Sequence, residues 1–145
     1  MASLDFHTNQ IIMFATNYDD GTDDLTGWRY YLLWKIDEKR KSLTFFPLTS
    51  NHNQQNTSFV SQYKITTPRP PCLQSELYPN SFVNTNRLIT VNYEVFSYFK
   101  SCWKCLNACL TKEDFEGISE LHNKLTKYYK WMRVKVIELI RDNFQ

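Results

Sequence analysis

The chain has no apolar run approaching the ~20 residues that a membrane-spanning helix requires, so no membrane partner is expected. Its first ten residues hold neither Lys nor Arg and no apolar core. No signal peptide is read there, and a cytoplasmic protein is the expectation. Lys and Arg are absent from the whole of residues 1–27, although that stretch contains Asp5, Asp19, Asp20, Asp23 and Asp24. All 17 basic residues fall in 28–145. This asymmetry has two readings: a solvated acidic loop ahead of an ordinary basic domain, or an acidic flap that limits the access of polyanions to a basic site. The net charge of +2 is too small to announce a nucleic-acid binder by itself.

Other scarcities set the class. Histidine is sparse, and the nearest to the run Cys102-Trp-Lys-Cys105-Leu-Asn-Ala-Cys109 is His122. Zinc wants four ligands, so no metal site is assigned. Spacings of three and four place the three cysteines on one helical face, where they read as small apolar packing groups. After Tyr93 there is no proline, and Gly117 is the one glycine. At 145 residues, with 42% hydrophobic and 16% aromatic residues, the chain is long and apolar enough for one packed domain.

What is present falls into strands first and helices last. Gln10–Ala15 reads as a strand, followed by a long polar loop over 17–26. Residues 28–36 form an aromatic-rich strand. It turns through five consecutive charged residues, Asp37–Lys41, and returns over 43–48 as a hairpin. A polar loop over 51–58, a strand over 59–66 and a proline-rich connector over 67–71 follow. The stretch 81–91 is a further strand, with a possible interruption at Asn84-Thr85-Asn86. A short helix is expected over 93–107. Thr111 then caps a long helix whose apolar stripe runs from Phe115 through Ile118, Leu121, Leu125, Tyr128, Met132 and Val136 to Leu139. The expected fold is α+β: a single domain over 1–145, mainly β over 10–91 and mainly helical over 93–143, with a long C-terminal helix.

The chemistry-bearing residues lie at strand ends. Arg29 opens the second strand and Thr49-Ser50 close the third. An antiparallel pair brings a fixed guanidinium and two hydroxyl donors towards one site suited to a phosphate. Arg29 also reads as a strand-end arginine paired with an acidic loop residue, and Thr49-Ser50 as a turn cap. His52 is the natural proton-transfer group beside them, or a solvated loop histidine. Trp28, Tyr30, Tyr18 and Phe59 offer stacking faces for unpaired bases, or core rings. Lys35, Lys64 and Arg87 are candidate backbone contacts.

Gly27-Trp28-Arg29, Pro47-Leu48-Thr49-Ser50, the run Ser81–Val91 and the helix start Leu110–Phe115, in this order, resemble the PemK/MazF family of toxin endoribonucleases from bacterial type II toxin–antitoxin pairs. The resemblance covers residues 10–125, with the remainder read as an extension of the closing helix. It implies a small, strongly curved antiparallel sheet in an SH3-like barrel of the MazF/CcdB type with helices attached, and a homodimer with a cognate antitoxin. It also implies cleavage of single-stranded RNA without cofactor or metal, by attack of the 2′-hydroxyl on the adjacent phosphate. Arg29 is then the phosphate clamp, Thr49 and Ser50 orient the phosphate, and Asn84, Asn86 and Arg87 join Trp28, Tyr30 and Lys35 as RNA contacts. Two positions depart from the family: Tyr30 stands where proline follows the arginine, and the Asn84–Asn86 step stands where some members carry an acidic residue. That second departure keeps open a non-catalytic RNA- or protein-binding barrel of the CcdB kind, and a type III toxin with an RNA antitoxin, of related fold and sharing the Pro47–Ser50 element, is a further alternative.

Overall fold

Five charged residues in succession cannot be buried cheaply, and they form the tip of the hairpin that organises the sheet. In the computed structural model, which describes residues 6–49, 62–65, 82–127 and 134–144, β2 (Gly27–Asp37) runs to this tip and β3 (Ser42–Thr49) returns from it. Lys41 takes a left-handed φ of 52° in the turn. The Asp37 carboxylate accepts from the Arg40 amide at 3.1 Å. β1 (Gln10–Thr16) pairs antiparallel with β2 on its other side.

β3 then divides its pairing. Its first half lies against β6 (Arg87–Asn92) and its last two residues, Leu48 and Thr49, against β5 (Phe82–Asn84). The interruption expected at Asn84–Asn86 is a turn, with Thr85 and Asn86 between β5 and β6. β4 (Gln62–Lys64) adds to β5; the rest of the strand expected over 59–66, apart from Ile65, lies outside the described residues.

The second half departs from the helical expectation. α1 covers only Tyr93–Tyr98, capped by the Asn92 side chain, which accepts from the Glu94 amide at 2.8 Å. After a 3-10 turn at Lys100–Cys102, the chain becomes strand β7 (Trp103–Cys109), antiparallel to β1. The helix expected over 93–107 is therefore overturned: β1 has an unpaired edge, and 103–109 satisfies it. The cysteines consequently do not share a helical face. Cys102 is buried at the end of the 3-10 turn, while Cys105 and Cys109 belong to β7.

α2 (Lys112–Lys127) begins as expected. The Thr111 hydroxyl accepts from the Asp114 amide at 3.2 Å, and Glu113 and Asp114 sit in the positive first turn. Phe115, Ile118 and Leu125 follow its inward stripe, but the stripe does not continue to Leu139. Residues 135–139 form β8 (Lys135–Leu139), parallel to β6. Strand alternation buries Ile137 and Leu139 and leaves Val136 60% exposed, whereas a continued helix would have placed Val136 inward. Tyr128 and Met132 lie outside the described residues.

Among the described residues the architecture is thus α+β, with eight strands in a mostly antiparallel sheet and two helices. Among the described residues the sheet does not close into a barrel: β4, β7 and β8 each pair on one side only. Both faces are covered, which explains why the strands read as nearly continuous apolar runs. Ile12, Phe14, Tyr31, Leu33, Phe45, Ile89 and Ile137 pack on one face with Phe96 of α1 and Phe144. Ile11, Leu32, Phe46, Leu48 and Val83 pack on the other with Ile118 of α2. Phe14 stacks on Tyr31 at 3.8 Å and meets Phe45 and Phe96 edge-on, each at 5.2 Å. No helix among the described residues is long and apolar enough to cross a membrane.

Candidate functional site

Strand alternation decides which side chains share a face. Arg29 has the parity of Tyr31 and Leu33, so it projects to the first of the two core faces at the end where that core thins out. On β3, Phe45, Pro47 and Thr49 share that face. The register pairs Leu33 with Phe45 and Tyr31 with Pro47, and the β2–β3 pairing ends there, two residues short of Arg29 and Thr49. There β3 exchanges β2 for β5, with Thr49 opposite Phe82. Arg29 and Thr49 thus have the same face parity towards one end of the sheet, without a direct strand pairing between them. Ser50 and His52, expected beside them, lie outside the described residues.

Among the described residues the Arg29 side chain has no hydrogen-bonding partner at Nε. Its Nε is buried with no acceptor, and the guanidinium makes no ion pair among the described residues. The Tyr31 hydroxyl, two residues along on the same face, is also buried without a partner. Burial pushes this phenol far above its ordinary range, against the opposing pull of the Arg29 charge. Asp24 feels Arg29 electrostatically, but its carboxylate is held low first by the Thr26 hydroxyl at 2.6 Å and the Thr26 amide at 2.9 Å. An uncompensated, half-buried cation next to an orphan hydroxyl is costly unless an anion or water completes it.

The remaining candidates divide. Trp28 is 53% exposed and lines a cavity of about 280 Å³ with Thr16, Asn17, Ser101 and Asn143. Its parity sends it to the opposite face from Arg29. Tyr30 packs against the second core. Lys35 is six residues along β2 from Arg29, about 20 Å away at strand rise, with its ammonium over the Trp34 ring at 4.8 Å; it does not join the site. Asn84 lies opposite Gln62. Asn86 is buried, and its carbonyl accepts from the Lys135 amide at 2.9 Å and from Arg87 Nη1 at 3.1 Å.

Arg87 does reach the same face, because it has the parity of Ile89 and Val91, and it pairs in register with Lys135 of β8. Both cations are already engaged. The Arg87 Nε donates to Asp23 Oδ1 at 2.7 Å. Lys135 Nζ donates to Asp23 Oδ2 at 2.6 Å, to Asp20 Oδ2 at 2.5 Å and to the Thr22 hydroxyl at 2.9 Å. The Lys135 contact, followed by the Asp23 and Thr22 donors, holds Asp20 well below the usual carboxylate range. Burial pushes Asp23 up, but the donors from Lys135 and Arg87 outweigh it and leave the group low. Lys135 is raised in return, first by Asp20 and then by Asp23.

Lys135 is the residue that the sequence reading missed, whereas Asp20 and Asp23 belong to the acidic flap that it did name. The concentration of aspartates before residue 27 was the available signal; Lys135 was hidden by its assignment to a helix. No family model matches the chain, and no curated protein matches it.

Proposed function

We propose that the chain is a toxin-type endoribonuclease that cleaves single-stranded RNA without metal, with Arg29 as the phosphate clamp. The observation that carries this reading is the buried, unpartnered Nε of Arg29 on the sheet face that Thr49 shares. A guanidinium of pKa above ~12 is a poor proton donor, so its contribution is electrostatic. It meets the extra negative charge of the phosphorane formed as the 2′-oxygen attacks phosphorus and the 5′-oxygen departs, leaving a 2′,3′-cyclic phosphate. Thr49 and Ser50 hold the phosphate so that attacking and leaving oxygens are in line. His52 moves a proton between them. A MazF-type barrel, a homodimer, a cognate antitoxin and a cytoplasmic site of action belong to the same reading.

The test is incubation of the purified chain with single-stranded RNA in EDTA, with end-group analysis of the products. Cleavage leaving cyclic phosphate ends is expected, with a loss of about 10²-fold or more in Arg29→Ala and a smaller loss in Thr49→Ala. Undiminished cleavage by both variants overturns the assignment.

One observation favours a second reading, in which the site binds RNA without cutting it. Asn86, at the step where some PemK/MazF members carry a carboxylate, is a buried amide residue whose main-chain carbonyl accepts from Lys135 and Arg87. Retention of RNA by the wild-type chain with no product after prolonged incubation selects this reading.

A further inference from the structure

We infer that the acidic turn Asp20–Asp24 is a built-in competitor for a nucleic-acid backbone, seated on two cations, Arg87 and Lys135, that share a sheet face with a third, Arg29. The inference rests on the nucleic-acid reading above for the identity of the anion displaced. The row follows from the sheet. Arg29 on β2, Arg87 on β6 and Lys135 on β8 all have the parity of the first core face, and all lie at the same end of their strands relative to that core. Extending the β3–β6 register places Arg87 beside Pro47, the partner of Tyr31, so the row runs across neighbouring strands with Thr49 at its side.

The carboxylates occupy this row as phosphates would. Asp23 bridges two cations, one oxygen at 2.7 Å from the Arg87 Nε and the other at 2.6 Å from the Lys135 Nζ. A phosphodiester also offers two terminal oxygens to two cations. Asp20 takes a second position on Lys135 at 2.5 Å. Arg29, the third cation, faces only the electrostatic influence of Asp24 and keeps its Nε unpartnered.

The turn is also constructed to lift as a unit. Asp20 Oδ1 accepts from the amides of Thr22 and Asp23 at 2.9 and 2.7 Å, Asp19 accepts from the Gly21 amide at 2.9 Å, and Gly21 supplies the left-handed φ of 86°. Leu25 anchors its base in the core, with its amide bonded to the Tyr18 carbonyl at 2.9 Å. Among the described residues, the hydrogen bonds tying 19–24 to distant parts of the chain run to Lys135 and Arg87, while Tyr18 donates to Asp20 and Thr26 to Asp24 at the turn's own base. Replacing those contacts with phosphates exchanges one set of charge-assisted bonds for another, so the turn sets a threshold for binding without blocking it outright.

The experiment measures binding of a labelled single-stranded oligodeoxynucleotide, which carries phosphodiesters but no 2′-hydroxyl to react, and salt-gradient elution from heparin. Both use the full chain. The double variant Asp20→Asn/Asp23→Asn is expected to bind the oligonucleotide about tenfold or more tightly than wild type. Its log–log salt slope should steepen by about 1.4, for two newly available cations at about 0.7 each. Adding Lys135→Gln to the double variant should return both quantities towards wild type. A folded double variant that binds no tighter and elutes from heparin at the same salt overturns the inference. Later elution from heparin with no oligonucleotide binding by either protein upholds the masking and overturns the nucleic-acid reading. Should the double variant fail to unfold cooperatively, Asp20→Asn alone is judged by the same two measurements, with a several-fold gain expected.

Discussion

The Nδ1 of His122 lies 2.9 Å from the carbonyl oxygen of Thr85, joining the middle of α2 to the β5–β6 turn between two buried residues. A carbonyl can only accept, so the bond requires a proton on Nδ1. The imidazole meets Trp34 and Phe46 edge-on, at centroid distances of 4.7 and 5.2 Å.

This packing gives the first stability prediction a sign. Burial, with a smaller push from Lys35, lowers the His122 pKa below its ordinary value near 6.5, and the Thr85 contact recovers only part of the shift. The unfolded chain therefore takes up the proton before the folded one. Stability from this group is complete above the ordinary histidine range and is lost as pH falls through it. The unfolding midpoint is expected to decline between about pH 7.5 and pH 5, and His122→Gln is expected to be less stable at pH 7.5 but flatter across that interval. Thermal scans of both proteins check this. An identical slope in the variant would assign the pH dependence elsewhere.

The second prediction concerns Gly117, in the interior of α2. A methyl group there would stand 2.6 Å from Cε2 and 2.7 Å from the hydroxyl of Tyr63. That ring is not at liberty to swing aside, because its hydroxyl donates to the buried Asp114 carboxylate at 2.9 Å. Helix propensity alone favours Gly117→Ala by about 1 kcal/mol. Displacing the tyrosine from its carboxylate outweighs this, and a net loss of about 1–2 kcal/mol is expected. In a Tyr63→Ala background the same substitution should become stabilising. A double-mutant cycle by urea unfolding reads the reversal directly.

Local chemistry explains what the sequence made legible. The charged tip at Asp37–Lys41, the Thr111 cap and the break at Asn84–Asn86 are each determined within a few residues, and the strands and helix start they delimit are found there. β7 and β8 depend on distant partners. Trp103–Cys109 is a strand because β1, some 90 residues earlier, offers an open edge, and Lys135–Leu139 because β6 does. Val136 and Leu139 fit a helical stripe as readily as a strand pattern, and only the pairing chooses. The candidate site divides along the same line. Arg29 and Thr49 share a face because they belong to the two strands of one hairpin, although the pairing itself stops at Tyr31 and Pro47. The capture of Arg87 and Lys135 by Asp23 joins a loop, a central strand and the C-terminal strand, a relationship that spacing alone does not contain.

The last prediction tests how β1 is fastened to the second half of the chain. Asn9, immediately before β1, donates from Nδ2 to the Leu110 carbonyl at 2.6 Å and accepts at Oδ1 from the Leu110 amide at 3.2 Å. The clip spans the junction of β7 and α2, where Leu110 is 1% exposed and water cannot replace a lost partner. Asn9 achieves this with a left-handed φ of 74°, a conformation that asparagine tolerates better than other side chains. Asn9→Ala therefore removes both bonds and keeps the strained backbone, with an expected loss of about 2–3 kcal/mol. Asn9→Gly removes the same bonds but adopts the φ without strain, so it should retain about 1 kcal/mol more than the alanine variant. Asn9→Asp keeps the acceptor but sets a carboxylate against the Leu110 carbonyl, and should fall below glycine at neutral pH. Chemical denaturation of the three variants gives the order. Alanine matching wild type would mean that the clip carries no load, and β1 would then be held by its strand pairing alone.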